Sequence, residues 1–485
     1  MSTVAFVNGA VFDGHRYVGA GTVLVRDGSV VEVRGAPATS LGTTVDETVD
    51  LAGGLISPGF TDAHVHPIQG GLERLRCDLS EESTREQYLA AIKGYADAHP
   101  DREWILGGGW AMPAFPGGTP TAADLDTVVP DRPAFLPNRD HHGSWVNSRA
   151  LELAGIDRET PDPADGRIER DADGHPTGTL HEGAMALVSR LAPGISAAEY
   201  YSGLVEGQRF LHSVGVTAWQ DAIVGAYAGM DDPGATYAKA VANGDLRSHV
   251  VGALWWERDR GLEQVADLVE RREAISGGRF RASSVKIMQD GVAENFTAAM
   301  LTPYLDAQGR ETTNRGHSFV EAGALREVVR ALDEARFQVH VHAIGDRATR
   351  ESLDAFEGTS RERRHHIAHL QVIHPDDVRR FAALGVAANA QALWAYADEQ
   401  MTELTLPFLG PERGAWQYPF GDLHRAGARL AMGSDWPVSS PDPLQAMHVA
   451  VNRAAHGEDG DAFLPVQALD LETAFAAYTS GSAWI

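Results

Sequence analysis

The chain has 485 residues, 43% hydrophobic and 22% charged, which is ordinary folded-protein usage and enough length for one large catalytic body with a sizeable core. A formal charge of −26 argues against nucleic acid, whose phosphates need basic patches, and against an anionic membrane surface. No apolar run approaches the ~20 residues of a membrane helix. The single cysteine, Cys77, cannot form an intramolecular disulfide, and the opening MSTVAFVNGAVFDG lacks the basic start and apolar core of a secretory signal, so a cytoplasmic location is expected.

Residues 3–34 alternate apolar and polar side chains between Gly and Asp-Gly turns, which predicts hairpins of a small β module. The apolar run from Leu55 to Phe60 then leads into polar, ligand-type residues, and the first strand of a larger domain is expected there. Residues 83–200 read as a long insertion. It starts at a capping box on Ser83 and Glu86 and carries the turn-rich stretches WILGGGWAMPAFPGGTP and GRIERDADGHPTGTLHEGA. From about residue 197, helical periodicity alternates with short apolar strands: GVTAWQDA, SHVVGALWW, SSVKIMQDG, FQVHVHAIGD, HHIAHLQ, GVAANAQ and ARLAMGSD. Leu325, Val328, Val329 and Leu332 mark one intervening helix. Such repetition implies a barrel or a doubly wound sheet, and five strands that each finish in a potential metal ligand favour the (β/α)₈ barrel.

His64 and His66 follow a strand with one residue between them, so both imidazoles point to the same side. Lys286, His342, His369 and Asp435 stand at the ends of later strands, and His340 competes with His342 because HVH repeats the pattern. Neutral imidazoles and a carboxylate suit a divalent cation with a position left for water. A protonated Lys286 would repel that cation. Carboxylated by CO₂, it would instead offer two oxygens; the competing reading is a buried salt-bridge lysine.

Taken together, SPGFTDAHVHP, VKIMQDG, VHAIGDRA, HHIAHLQ and GSDWPVSSPDPL resemble the metal-dependent amidohydrolase superfamily. With DHHGSWVNSRAL, GRIERDADGHPTGTLHE, QALWAYADE and AYTSGSAW, the likeness extends over nearly the whole chain and is nearest to the YtcJ-like branch, which includes N-substituted formamide deformylase. The resemblance implies that His64 and His66 bind one metal, that Lys286 bridges as N6-carboxylysine, that His342 and His369 hold a second metal, and that Asp435 is ligand and proton shuttle. Zinc is the default, with iron, manganese or cobalt as alternatives and one or two ions per chain.

His142 is expected to face the substrate carbonyl or oxyanion, with Glu182 orienting a neighbour. Trp110, Trp145, Gln391 and Trp394, together with Trp416, are expected to wall the substrate pocket. Asp346 is expected to support His342 and Asp62 the first histidine pair. Residues 1–57 are assigned to the small β module and 58–485 to the barrel with its insertion. Relatives continue beyond AYTSGSAW into strands that complete a β-sandwich with the N-terminal ones. Because this sequence stops at Ile485, either the chain is truncated or that complement is missing, leaving an open edge. The expected activity is hydrolysis of an amide-type C–N bond in a small molecule, by a chain compatible with a homodimer. A deaminase, an ester or lactone hydrolase, and a non-catalytic metal-binding regulator are the competing readings.

Overall fold

The structure, a computed structural model, describes residues 2–35, 44–227, 230–457 and 461–485. Strands Thr3–Phe12, Tyr17–Arg26 and Ser29–Arg34 form an antiparallel meander. The last turn is the Asp27-Gly28 pair, with both residues at positive φ as a tight hairpin requires. Glu47–Asp50 and Leu55–Ile56 add to this sheet parallel to the first strand. The run expected to open the barrel is therefore divided, because Pro58 and Gly59 interrupt it and the barrel strand begins only at Phe60. The N-terminal sheet docks on the end of the chain: Phe12 packs against Phe475 with ring centroids 4.5 Å apart, and the Thr479 hydroxyl donates to the Gly14 carbonyl.

Eight parallel strands follow in strict neighbour order: Phe60–Val65, Val216–Val224, His249–Trp255, Phe280–Met288, Gln338–Ala343, His366–His369, Ala387–Ala390 and Leu430–Met432. Two backbone hydrogen bonds join the ends of this sheet. The Asp435 N–H donates to the His64 carbonyl at 2.7 Å, and the His66 N–H donates to the Trp436 carbonyl at 2.8 Å. The sheet is thus a nearly closed (β/α)₈ barrel, and the joint lies where two candidate ligand strands meet. The helix Ala322–Glu334 shows why helices line its outside: Leu325, Val328, Val329 and Leu332 form its buried stripe, while Glu321 caps its start by accepting the Gly323 and Ala324 N–H groups.

The insertion springs from helix Pro67–Arg74 and returns through helix Ala197–Ser213. These helices approach so closely at Gly71, Gly203 and Gly207 that a Cβ at Gly71 would overlap the Gly203 carbonyl. Between them lies a six-stranded sheet in the order 166–170, 176–182, 143–146, 134–137, 105–108 and 77–78, with its own apolar core. Its first long helix, Arg85–Ala98, is capped one residue later than expected. Thr84 accepts from the Gln87 N–H and the Gln87 side chain reaches back, whereas Ser83 only adds a bond to the same Gln87. Among the described residues no helix is long and apolar enough to cross a membrane.

Candidate active site

The first barrel strand ends at Val65, and the alternation of its side chains turns both His64 and His66 toward the carboxylate that follows the eighth strand. Asp435 Oδ1 lies 3.1 Å from His64 Nε2 and 3.0 Å from His66 Nε2, while Oδ2 is 3.8 Å from His369 Nδ1. Ligand atoms of His64, His369 and Asp435 all fall within 4.8 Å of one another, and all three residues are buried. His369 and Asp435 both hold positive φ, at 78° and 58°, so the backbone is strained where these side chains converge.

Burial alone would raise the Asp435 carboxyl, but the imidazoles of His64, His66 and His369 outweigh it and hold the group well below the usual carboxylate range. Burial, with Lys286 nearby, pushes His64 down to about 3 and leaves it neutral, the state in which an imidazole can offer a lone pair. Lys286 is brought down to about 7 by burial, with Asp435 opposing. His369 Nδ1 is buried and has no hydrogen-bond partner among the described residues. A carboxylate, neutral imidazoles and an unpartnered buried nitrogen converging on one point are the donor set a divalent cation needs.

The supports of these side chains differ in part from the expectations. His342 Nδ1 lies 3.1 Å from Asp290 Oδ1, and Asp290 also accepts the backbone N–H groups of Ala299, Ile344 and Gly345. Asp346, the expected support, instead accepts the Leu301 N–H, because its place in the first turn of its own helix turns it toward that loop. Asp290 sits inside VKIMQDG, where its carboxylate two residues past the strand was the available signal. Asp62 does brace the first strand: one oxygen accepts the N–H groups of both His64 and Ser434 at 3.0 Å. His340 lies one layer below His342, its Nε2 2.9 Å from His64 Nδ1.

The insertion contributes a second cluster. Strands Ala134–Pro137 and Gly143–Val146 form a hairpin whose tip, Asp140-His141-His142, reaches the barrel mouth. Gly143 pairs with His181 on the neighbouring strand, which places Glu182 beside His142: Nδ1 is 3.0 and 3.1 Å from the two carboxylate oxygens. Burial would lower the His142 imidazolium, yet Glu182, Asp140 and Glu294 carry it up to about 9. Its charge is felt at His342, whose own imidazole is lowered by burial.

The aromatic residues separate into two groups. Trp394 stacks on His369 with rings 5.4 Å apart and nearly parallel, and Gln391 supports the same histidine by accepting its N–H at 2.7 Å. Trp110 and Trp145 lie elsewhere, 1% and 0% exposed in the insertion's own core, with their indole N–H groups bonded to the Leu136 and Thr121 carbonyls. Trp416 packs against His374. A small, largely apolar cavity missed in the sequence opens beside His66, walled by Gln69, Asp221, Ile223, Tyr227 and Met230.

Comparison with known proteins supplies the family and the fold. The amidohydrolase family matches residues 47–485. The YtcJ protein of Bacillus subtilis is 31% identical over 92% of this chain and 82% of its own length. The N-substituted formamide deformylase of Arthrobacter pascens is 27% identical over 94% of this chain and 84% of its own. The crystal structure of an uncharacterized metal-dependent hydrolase from Pyrococcus furiosus superposes with a TM-score of 0.73 and 25% identity, covering 99% of this chain and 94% of that one.

Proposed function

The chain belongs to the amidohydrolase family and is a metal-dependent hydrolase acting on carbon–nitrogen bonds; we propose that it cleaves an N-substituted amide, formamide or carbamate of a small molecule. The observation that carries this reading is the Asp435 carboxylate, held within hydrogen-bond distance of His64 and His66 at the joint of the barrel, with His369 beside it.

His64, His66, His342, His369 and Asp435 would hold the cation, and the imidazole-rich set favours zinc over iron, manganese or cobalt. Lys286 would join them as N6-carboxylysine: its neutral Nζ attacks the carbon of CO₂, a C–N bond forms, one C–O π pair moves to oxygen, and the nitrogen releases a proton. A bound divalent cation supplies Lewis acidity, which brings the pKa of water toward ~7 and polarises a carbonyl.

The protein's residues would supply the rest. Asp435, anionic at any working pH, takes the proton of the attacking water and passes it to the departing nitrogen. His142, kept charged by Glu182, directs its Nε2 donor at the oxygen on which negative charge develops. Trp394 shields His369 from solvent. The deformylase relative supports a linear formamide or amide over the deaminase and ester or lactone alternatives.

The test is turnover of N-alkyl formamides, acetamides, carbamates, lactones and aminopurines by purified protein, with elemental analysis of the same sample. Amide turnover that is lost on chelation and restored by zinc supports the proposal. Metal uptake with no turnover of any C–N substrate overturns it.

A further inference from the structure

His340 is fully buried, at 0% exposure, between Val339 and Val341 on the fifth barrel strand. A buried imidazole costs free energy unless its polar atoms are used, so an interior histidine requires a reason that an apolar residue could not supply. Among the described residues, His340 makes one side-chain hydrogen bond, between its Nε2 and His64 Nδ1 at 2.9 Å, and its own Nδ1 has no partner. His366 packs against its ring with centroids 4.1 Å apart and is itself tied through Nδ1 to Asn389, which donates to the Ala63 carbonyl. The His340 ring is thus held in place from below, and its one polar function points at His64.

We infer that His340 is a positioning residue that fixes the tautomer of His64. This rests on the reading of His64 as a metal ligand. An imidazole has two nitrogens and, when neutral, one proton. His64 Nε2 faces Asp435, so for that nitrogen to offer its lone pair to a cation the proton must reside on Nδ1. His340 Nε2 is the acceptor that keeps it there, and its own proton must then lie on Nδ1, the nitrogen that no other described group engages. Among the described residues no other side-chain hydrogen bond sets the His340 tautomer, so His340 is free to take the accepting form once His64 Nε2 is engaged by the cation. His64 and His340 therefore act as a pair in which the lower ring orients the upper one and raises its basicity, as partners beneath metal-bound histidines commonly do.

The test compares wild type with His340→Phe, which keeps a flat ring of similar size without an acceptor, and His340→Gln, which keeps an acceptor. Zinc affinity is measured on metal-free protein by competition with a chromophoric chelator, and thermal unfolding of the metal-free forms verifies the fold. His340→Phe is expected to bind zinc about 10–100-fold more weakly, with His340→Gln recovering most of the loss. Unchanged affinity in a folded His340→Phe overturns the inference alone, whereas absence of zinc uptake by wild type overturns the metal-site reading and the inference with it. Should His340→Phe not fold, nitrogen NMR of ¹⁵N-histidine-labelled, zinc-loaded wild type decides. A proton on His64 Nδ1 with a through-hydrogen-bond coupling to His340 Nε2 supports the inference, and coordination through Nδ1 or a proton on His340 Nε2 overturns it.

Discussion

His142 and Glu182 reach the barrel mouth on adjacent strands of the insertion and lie 3.0 Å apart, Nδ1 to Oε1. Glu182 adopts positive φ there, at 49°, so the pairing persists against local strain. The carboxylate lifts His142 from the ordinary 6.5 up to about 9. The alkaline limb of kcat/KM is therefore expected near pH 9 in wild type. It should move to or below neutrality in Glu182→Gln, where burial acts unopposed, with a loss of about 10²–10³ in kcat at pH 8. An alkaline limb in the same place in both proteins would remove His142 from the mechanism. The same raised value links to folding: with Glu182 ionised, the His142 contribution is fully present below its ordinary 6.5 and is lost as pH rises through about 9, while acid that protonates Glu182 removes the pairing from the other side.

Asp435→Asn keeps the size of the side chain but removes the proton acceptor between His64 and His66. A fall in kcat of about 10²–10⁴ is expected, larger than any change in KM. Steady-state kinetics on the best amide substrate, with metal content measured in parallel, checks this. Activity within a few-fold of wild type would rule out the shuttle.

Lys286→Ala is expected to lose nearly all activity and part of the bound metal. Short carboxylic acids such as acetate or propionate should restore a fraction by occupying the place of the carbamate. In wild type grown or incubated with ¹³C-bicarbonate, carbon NMR should show a carbamate resonance that Lys286→Met lacks. No such resonance in a fully active enzyme would leave Lys286 unmodified.

Asp290 is 0% exposed and accepts three backbone N–H groups as well as facing His342. Asp290→Ala leaves those donors buried without partners, at about 1–3 kcal/mol each before relaxation. A marked drop in Tm is expected even in metal-free protein. A drop seen only in the metal-loaded form would assign Asp290 to His342 alone.

Gly71 admits no Cβ without displacing the Gly203 carbonyl on the facing helix. Gly71→Ala should cost about 1–3 kcal/mol of stability, readable in denaturant unfolding. His66 stands at the head of the same helix, so KM and metal affinity should shift with it.

The sequence by itself determined the barrel and the strands that carry its candidate site. The period of two that puts His64 and His66 on one side, the buried stripe of Leu325, Val328, Val329 and Leu332, and the repeated strand–helix alternation are local properties of the chain, and local periodicity survives folding. The division of Leu55–Phe60 between two sheets was not legible, since an apolar run does not declare which partner strand it joins.

Only the tertiary structure decided which groups meet. Asp290, rather than Asp346, faces His342; Glu182 faces His142 from another strand; His340 lies under His64 across 276 positions of sequence; and Trp110 and Trp145 turn into the insertion's core instead of toward a pocket. Such relationships depend on strand register, on the layer of the barrel interior and on where a long insertion lands, which are set by packing between distant segments and leave no periodic trace in any one of them.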